Sequence, residues 1–367
     1  MIMVVSSKRN SVLDRISYLD LLSVPNITEK AITVLLNRFS EPSSIFKAEK
    51  KELEALGLSP TLVSRITGYE RDRELIPRLE AIFDNGVKML TREDPGYPSW
   101  IKDFTFPPPV IFVWGDLLEE DRNSIGIIGT RRASSYGRTT CEYFSRELAR
   151  AGVTIVSGLA RGIDTLAHRT AIEVNGRTVA FLGCGIDVIY PPENKGLYAE
   201  IARQGAVISE FPPATPPYKK NFIKRNRLIP AFSKAILAVE APEKSGVLNT
   251  VKWAVEMGKD VMVIPGNIFS PKSSGTNQLI KDGAIPVTSA EDILEYLNLT
   301  GIETGKREIK LSCEEEKILK HIEAEPKHVD EIVLACGLEL SQISGVLLSL
   351  EMKKVIRQLP GGCYIRR

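Results

Sequence analysis

The sequence contains few of the residues that build metal and disulfide sites. It has 5 cysteines and 3 histidines among 367 residues. The cysteines are odd in number and never spaced as Cys-x-x-Cys, which argues against a zinc ribbon and a disulfide framework and indicates reduced thiols in a cytoplasmic protein. The histidines form no ligand pattern with the cysteines, so we expect neither a bound metal nor a cofactor.

Long hydrophobic runs and the common nucleotide motifs are also missing. No apolar run approaches the ~20 residues of a membrane span. The apolar run at the start of the chain is too short for the hydrophobic region of a signal peptide. We therefore expect no membrane contact. Gly126-Ile-Ile-Gly129 departs from the Gly-x-Gly-x-x-Gly dinucleotide motif, and no P-loop occurs. NAD and ATP chemistry thus receive little support.

A local basic cluster stands out against a formal net charge of only +2. No acidic residue occurs between Glu210 and Glu240, and Phe222 lies within the cluster. Phosphates attract cations and unpaired bases stack on rings, so this stretch suits a single-stranded nucleic acid, while a solvated basic loop is the alternative. The cationic residues are Lys219, Lys220, Lys224, Arg225 and Arg227.

Residues 1–74 predict a small helical domain, since apolar residues recur three and four positions apart. Thr28 and Ser59 are expected to begin helices. The Ala55–Ser59 turn resembles a helix-hairpin-helix DNA module without its second glycine, so a DNA-binding hairpin and a protein-interaction bundle both remain open. The predicted helices are Ser11–Leu22, Thr28–Phe39, Lys47–Leu56 and Ser59–Arg71.

Residues 75–300 predict an α/β domain. Ile111–Trp114, among prolines, is interpreted as an edge strand. Short β-branched runs then alternate with helical patterns, which is typical of a doubly wound parallel sheet with right-handed crossovers. The predicted strands are Ile125–Ile128, Val153–Val156, Thr178–Leu182, Ala206–Ile208, Ala235–Val239, Val261–Ile264 and Ile285–Val287.

After a linker at residues 301–310, residues 311–367 predict three helices and a hairpin, which is a winged helix. Its recognition helix would be Ser341–Met352, whose side chains Gln342, Ser344, Ser349 and Glu351 are poorly suited to a phosphate backbone. A protein-contact role is therefore favoured. Because the wing residues Arg357, Arg366 and Arg367 are cationic, DNA binding by this domain remains the alternative.

Glycine-bearing loops follow most of the predicted strands, at the sheet edge where ligands of such folds bind. Together with Arg131, they predict an anion-binding crevice. Asp164 and His168 lie four residues apart on one helix face, as an acid–base pair would, but a capping Asp164 and a core His168 are favoured. The candidate pocket-lining residues are Ser157, Gly158, Asp164, His168, Gly183 and Gly185.

Taken in order, these motifs resemble the DNA-processing protein A (DprA, also called Smf) family over most of residues 11–367. The resemblance is densest in the α/β part. The motifs are Gly129-Thr-Arg131, Ser157-Gly-Leu-Ala-Arg-Gly-Ile-Asp164, Gly183-x-Gly-Ile-Asp187, Tyr190-Pro191, Asn221-Phe222-x-x-Arg225-Asn226-Arg227, Ser245-Gly246 and Gly275-Thr-Asn-Gln-Leu-Ile280.

The resemblance implies a SAM-like or helix-hairpin-helix-like domain, an extended Rossmann domain and a winged helix. It also implies a bacterial, non-enzymatic protein that coats and protects single-stranded DNA and helps load RecA recombinase during natural transformation. A homodimer through the Rossmann domain, around Gln278–Leu297, would be expected.

The resemblance further implies a nucleic-acid site on named residues and no catalytic residue. Arg131 and Lys219 would contact phosphates, and Phe222 would stack on a base. Pro230, where the family has a small residue, is expected to bend or end the helix. The implied site consists of Gly129, Arg131, Lys219, Phe222, Arg225, Arg227, Ser245 and Gly246.

Two other functions remain as alternatives. A phosphoribohydrolase-type enzyme would use the crevice with Asp164 and His168, but its Pro-Gly-Gly-x-Gly-Thr-x-x-Glu loop is replaced here by Pro265-Gly-Asn-Ile-Phe. A transcription regulator would instead read duplex DNA through the winged helix.

Overall fold

The structure, a computed structural model, describes residues 15–39, 41–299, 312–323, 325–338, 340–353 and 355–366. The N-terminal helices pack around a core that includes Leu35, Leu53 and Val63. Thr28 and Ser59 cap helices as expected, because their hydroxyls accept the amides of Ala31 and Leu62. These helices are α1 (15–23), α2 (Glu29–Arg38), α3 (Pro42–Ile45), α4 (Lys50–Ala55) and α5 (Pro60–Thr67).

The central part is a nine-stranded sheet in the order β1-β2-β6-β5-β4-β3-β7-β8-β9. All seven strands predicted after residue 120 form, and they run parallel. The strands are β1 (Val87–Thr91), β2 (Val110–Gly115), β3 (Ser124–Ile128), β4 (Thr154–Ser157), β5 (Thr178–Phe181), β6 (Ala206–Ser209), β7 (Ala235–Ala238), β8 (Asp260–Val263) and β9 (Ile285–Pro286).

The prediction of an edge strand at Ile111–Trp114 is wrong. That segment is β2, which lies between β1 and β6 and pairs antiparallel with both. Its backbone groups are therefore used on both sides, and Phe112 is fully buried. The edge strand on this side of the sheet is β1, whose half-exposed pattern the sequence analysis did not identify.

Helices cover both faces of this sheet, as doubly wound folds require. Ile125 and Ile127 pack into the core on one face, whereas Ile128 packs into the core on the other. The helices are α6 (Leu75–Asp84), α7 (Ser99–Lys102), α8 (Ser135–Arg150), α9 (Ile163–Glu173), α10 (Lys195–Gln204), α11 (Lys219–Arg225), α12 (Leu228–Phe232), α13 (Val247–Glu256), α14 (Ser274–Lys281) and α15 (Ala290–Tyr296), with 3-10 turns at Glu119–Arg122 and Pro192–Asn194.

The C-terminal part is a winged helix, as predicted, with a core that includes Ile332, Ile343 and Leu347. Its hairpin gains a third strand at Lys327–His328, which pairs with the last strand. The elements are α16 (Cys313–Leu319), β10 (Lys327–His328), α17 (Val329–Cys336), α18 (Leu340–Met352), β11 (Ile356–Leu359) and β12 (Cys363–Arg366). The predicted linker at 301–310 lies outside the described residues, and the domain boundaries stay predictions.

Arg357, one of the cationic wing residues, contacts the α/β part. Its Nη1 lies 3.3 Å from Oε1 of Glu142 on α8. Arg367 lies outside the described residues. Within the described ranges, no helix is long and apolar enough to cross a membrane, and no cluster of three His, Cys, Asp or Glu side chains could hold a metal ion.

Candidate functional site

A crevice of about 650 Å³ opens at the carboxyl ends of β3 and β7. These neighbouring strands mark the switch point of the sheet, because the chain order proceeds outward from them in both directions. Helix α11 forms the opposite wall. The lining residues include Gly129, Thr130, Arg131, Arg132, Asp164, Tyr190, Lys219, Phe222, Arg225, Lys244, Ser245 and Gly246.

Two successive short helices shape the basic stretch. Helix α11 ends at Arg225, and α12 begins at Leu228 with Pro230 in its first turn, where a proline is tolerated because no intrahelical amide bond is lost. The expected interruption of the helix therefore occurs, but it precedes Pro230. Arg225 and Arg227 consequently point into the protein and are both 3% exposed.

Phe222 lies half-buried in the crevice wall among cations and a second ring. Its ring centroid is 5.4 Å from that of Tyr190, and the Cζ atom of Arg131 lies 6.0 Å from it. Gly183 packs directly beneath the ring, since a Cβ at that position would lie 2.6 Å from Cδ1 of Phe222. One side of the ring is thus held by the fold, and the crevice lies on the other.

The side chain of Arg225 reaches the floor of the crevice, but backbone carbonyls of the protein accept its hydrogen bonds. Its Nη1 donates to the carbonyl oxygens of Gly158, at 2.6 Å, and Phe181. A Cβ at Gly158 would lie 2.5 Å from Nη2, so glycine is needed for this approach. Burial lowers the pKa of Arg225, although Asp164 raises it. Arg225 thus lines the crevice, where the resemblance implied it, but its guanidinium is hydrogen-bonded by the protein itself.

Arg227, also implied as a DNA contact, lies outside this crevice. Its guanidinium forms a buried ion pair with Glu210 and donates to the carbonyl of Phe106 at 2.9 Å. Lys224 pairs with Glu29 of α2, with a distance of 3.0 Å between Nζ and Oε1. Lys219 and Lys220 are exposed. Hence only two of the five clustered cations project freely to solvent, and Lys219 alone of these two lines the crevice.

Glu240 fixes the turn after β3 against the loop after β7. Its carboxylate accepts the amide and the hydroxyl of Ser134 at 2.8 and 2.6 Å, and its carbonyl accepts the amide of Thr130 at 2.8 Å. Arg131 and Arg132 are exposed on that turn. Across the crevice, the Ser245 hydroxyl accepts the amide of Val247 at the start of α13. Gly129, Arg131, Ser245 and Gly246 thus meet as the resemblance implied.

Most of the candidate pocket-lining residues lie behind the crevice. Asp164 lines it, but Ser157, Gly158, His168, Gly183 and Gly185 do not. The Ser157 hydroxyl donates to the carbonyl of Ile127. Gly158 and Gly183 make room for Arg225 and Phe222, and Gly185 packs against Asp187. These positions correct the predictions, because most of the motif supports the crevice from below.

Asp164 and His168 are both buried and serve different partners. His168 Nδ1 lies 2.6 Å from the Thr178 hydroxyl, which itself donates to Ile155, so Nδ1 carries the hydrogen. Burial lowers the pKa of His168 to about 3. Burial raises the pKa of Asp164 to about 6, although Arg225 and the amides of Ala160 and Gly158 lower it. The core histidine favoured from the sequence is confirmed, and the acid–base pair is not formed.

The crevice residues absent from the sequence-based set include one aromatic and two cationic side chains. The Tyr190 ring lies tilted against that of Phe222, while Arg132 and Lys244 add exposed charge to the two rims. Arg132 could have been found from its place beside Arg131, and Tyr190 from the Tyr-Pro motif. Lys244 lacks such a signal, because only the folded chain brings it to the rim.

Several known proteins and two family models are similar to this chain. Residues 88–298 match the family model of DNA recombination-mediator protein A, and residues 305–362 match the DprA winged helix domain. Protein Smf of Synechocystis is 34% identical over 353 residues, which cover 86% of this chain and 89% of that protein. Protein Smf of Escherichia coli is 37% identical over 290 residues, which cover 74% and 77%.

Two solved structures are similar to this chain. DprA of Streptococcus pneumoniae superposes with a TM-score of 0.64 at 30% identity, covering 75% of this chain and 95% of that one. DprA of Helicobacter pylori, whose structure concerns its single-stranded DNA binding mode, gives a TM-score of 0.53 at 31% identity and covers 58% and 95%.

Burial of neutral His168 predicts a pH-dependent stability. Its folded pKa of about 3 lies below its ordinary value of 6.5, so its contribution is present above pH 6.5 and is lost as the pH falls towards 3. At about 1.4 kcal/mol per pH unit, the free energy of unfolding should fall by about 2 kcal/mol more in the wild type than in His168→Asn between about pH 7 and about pH 5. Urea unfolding at both pH values measures this.

The Asn variant is a matched comparison because its amide can occupy the place of Nδ1. Asp164, whose raised pKa acts with the opposite sign near pH 4 to 6, is present in both proteins and cancels in the difference. Parallel pH profiles for the two proteins would contradict the prediction.

Proposed function

Because this chain belongs to the DNA-processing protein A (DprA/Smf) family, we propose that it binds single-stranded DNA in the crevice beside α11. The observation that carries the proposal is that the Phe222 ring lines the crevice together with Arg131 and Lys219 at the switch point of the sheet, with Cζ of Arg131 6.0 Å from the ring centroid. A ring flanked by cations is the chemistry that binds an unpaired strand with little sequence preference.

Each group in the crevice has a separate role in this proposal. Arg131, Arg132, Lys219 and Lys244 attract phosphates from both rims, and the backbone around Gly129 and Gly246 lies close enough to approach the strand. Phe222 stacks on a base. Arg225 positions the ring from behind and leaves the phosphates to the exposed cations.

The wider proposal is that the bound strand is protected and passed to RecA recombinase during natural transformation, in the bacterial cytoplasm and without catalysis by this chain. Its support is the match to the model of a DNA recombination mediator. It is also consistent with the single-stranded DNA binding mode described for the Helicobacter pylori relative.

We further propose a homodimer through Gln278–Leu297. This segment includes β9, the edge strand beyond β8. Ile285 on that strand is 40% exposed and Tyr296 nearby in sequence is 38% exposed. An open sheet edge with apolar side chains favours association with a second edge.

Phe222→Leu should weaken binding of an oligothymidylate by roughly 5- to 150-fold, because stacking on a ring contributes about 1–3 kcal/mol per base. Arg131→Ala should weaken binding and reduce the slope of log K against log salt by about 0.7. Fluorescence anisotropy over a salt series measures both.

Phe222→Tyr, which keeps a ring, and Arg138→Ala, on the exposed face of α8, serve as matched controls. Wild-type affinity in both Phe222→Leu and Arg131→Ala would contradict the proposal.

The wild-type protein should accelerate RecA filament growth on single strands coated with a single-strand-binding protein, whereas Phe222→Leu should lose this effect in proportion to its lost DNA affinity. The growth rate can be followed by fluorescence of labelled DNA. If the wild type leaves the rate unchanged, the RecA role is wrong, although DNA binding could stand.

Ile285→Lys should shift the protein from dimer to monomer, because it places a charge at the proposed interface. Sedimentation velocity at a series of concentrations measures the shift. Ile268→Lys is the matched control, since Ile268 is 81% exposed and lies outside the segment. Equal dimer fractions in the two variants would argue against this interface.

A further inference from the structure

A second cleft of about 440 Å³ lies on the other side of α11, where the N-terminal helices meet the α/β part. Four regions contribute to it: the start of α2, the loop before β2, the basic stretch and α13. Its lining is Thr28, Glu29, Lys30, Phe106, Lys220, Ile223, Lys224, Arg227, Asn249, Lys252, Trp253 and Glu256.

Helix α11 is a wall shared by the two clefts. Lys219 and Phe222 line the crevice, whereas Lys220 and Lys224 line the second cleft. Ile223 lines both and is 48% exposed. The two clefts are therefore neighbours across a single helix, and a flexible chain leaving one can enter the other over Ile223.

The second cleft repeats the chemistry of the first. Five of its lining side chains are cationic and two are acidic. Lys30 and Lys220 are exposed, while Lys224 is paired with Glu29. Burial raises the pKa of Glu29, but Lys224, a backbone hydrogen bond and Arg227 together hold it below its usual value, so this carboxylate is ionised at neutral pH. Part-buried Trp253 supplies a ring, which packs edge-on against Phe104 with centroids 6.5 Å apart.

We infer that this second cleft binds further nucleotides of the same single strand that occupies the crevice. The inference rests on the proposed function and extends it. Lys30 and Lys220 contact phosphates, and the indole of Trp253 receives a base. The N-terminal helices thereby gain a direct part in DNA binding through α2, apart from any hairpin motif at residues 55–59.

The test compares short and long strands in two charge-reversal variants. Oligothymidylates of about 5 and about 20 nucleotides fit one cleft or span both, given the ~4–16 nucleotides that comparable modules cover. Lys30→Glu should weaken binding of the long strand by roughly 3- to 10-fold and reduce its salt slope by about 0.7, with little change for the short strand. Anisotropy titration measures both affinities.

Lys51→Glu is the matched control. Like Lys30, Lys51 is exposed in the first turn of an N-terminal helix, where an acidic residue is compatible with the helix dipole, but it lines neither cleft. Equal effects of the two variants on the long strand, or an equal loss for both strand lengths in Lys30→Glu, would overturn the inference. If the wild type bound neither strand, the proposed function itself would fail.

Trp253 gives a second, independent readout. The long strand should quench indole emission in the wild type and much less in Trp253→Phe, whereas the short strand should leave emission nearly unchanged in both. Equal quenching by the two strand lengths would show that bases reach Trp253 without spanning α11, and would overturn the inference.

Discussion

The hydrogen bonding of the buried Arg225 guanidinium is the interaction on which the crevice, and the DNA binding proposed for it, depends. A charge removed from water is costly unless it is hydrogen-bonded, and here the carbonyls at the ends of β4 and β5 accept from it while Asp164 lies close enough to raise its pKa. These contacts hold α11 across the sheet edge. Because Phe222 is three residues earlier on the same helix, the anchor also determines where the ring lies.

This anchor explains the glycines beneath the site. Gly158 lets the guanidinium approach the backbone, and Gly183 lets the ring of Phe222 lie flat against the loop after β5. Neither glycine lines the crevice. Motif residues can therefore belong to a binding site without contacting its ligand, and substitutions there would act by displacing the residues above them.

Much of the fold followed from the sequence, because strand and helix periodicities were strong after residue 120. The strand β1 was missed because its side chains alternate weakly between burial and exposure. In the site, Phe222, Arg131, Lys219 and Arg225 were predicted and line the crevice, but the burial of Arg225 and the position of Arg227 outside the crevice were not foreseen. A sequence gives the charge of an arginine but not its partner, and here the partners are carbonyls and Glu210, brought in by distant parts of the chain.

Glu240 joins both rims of the crevice through Ser134 and Thr130, so the width of the opening is set before any ligand arrives. A preformed surface has little conformational freedom left to lose, and the ordering cost of association falls mainly on the ligand. The crevice then favours ligands that are flexible enough to adapt to it. A flexible single strand can rotate a base onto the fixed ring of Phe222, whereas a duplex must first break its own base pairs and stacking contacts.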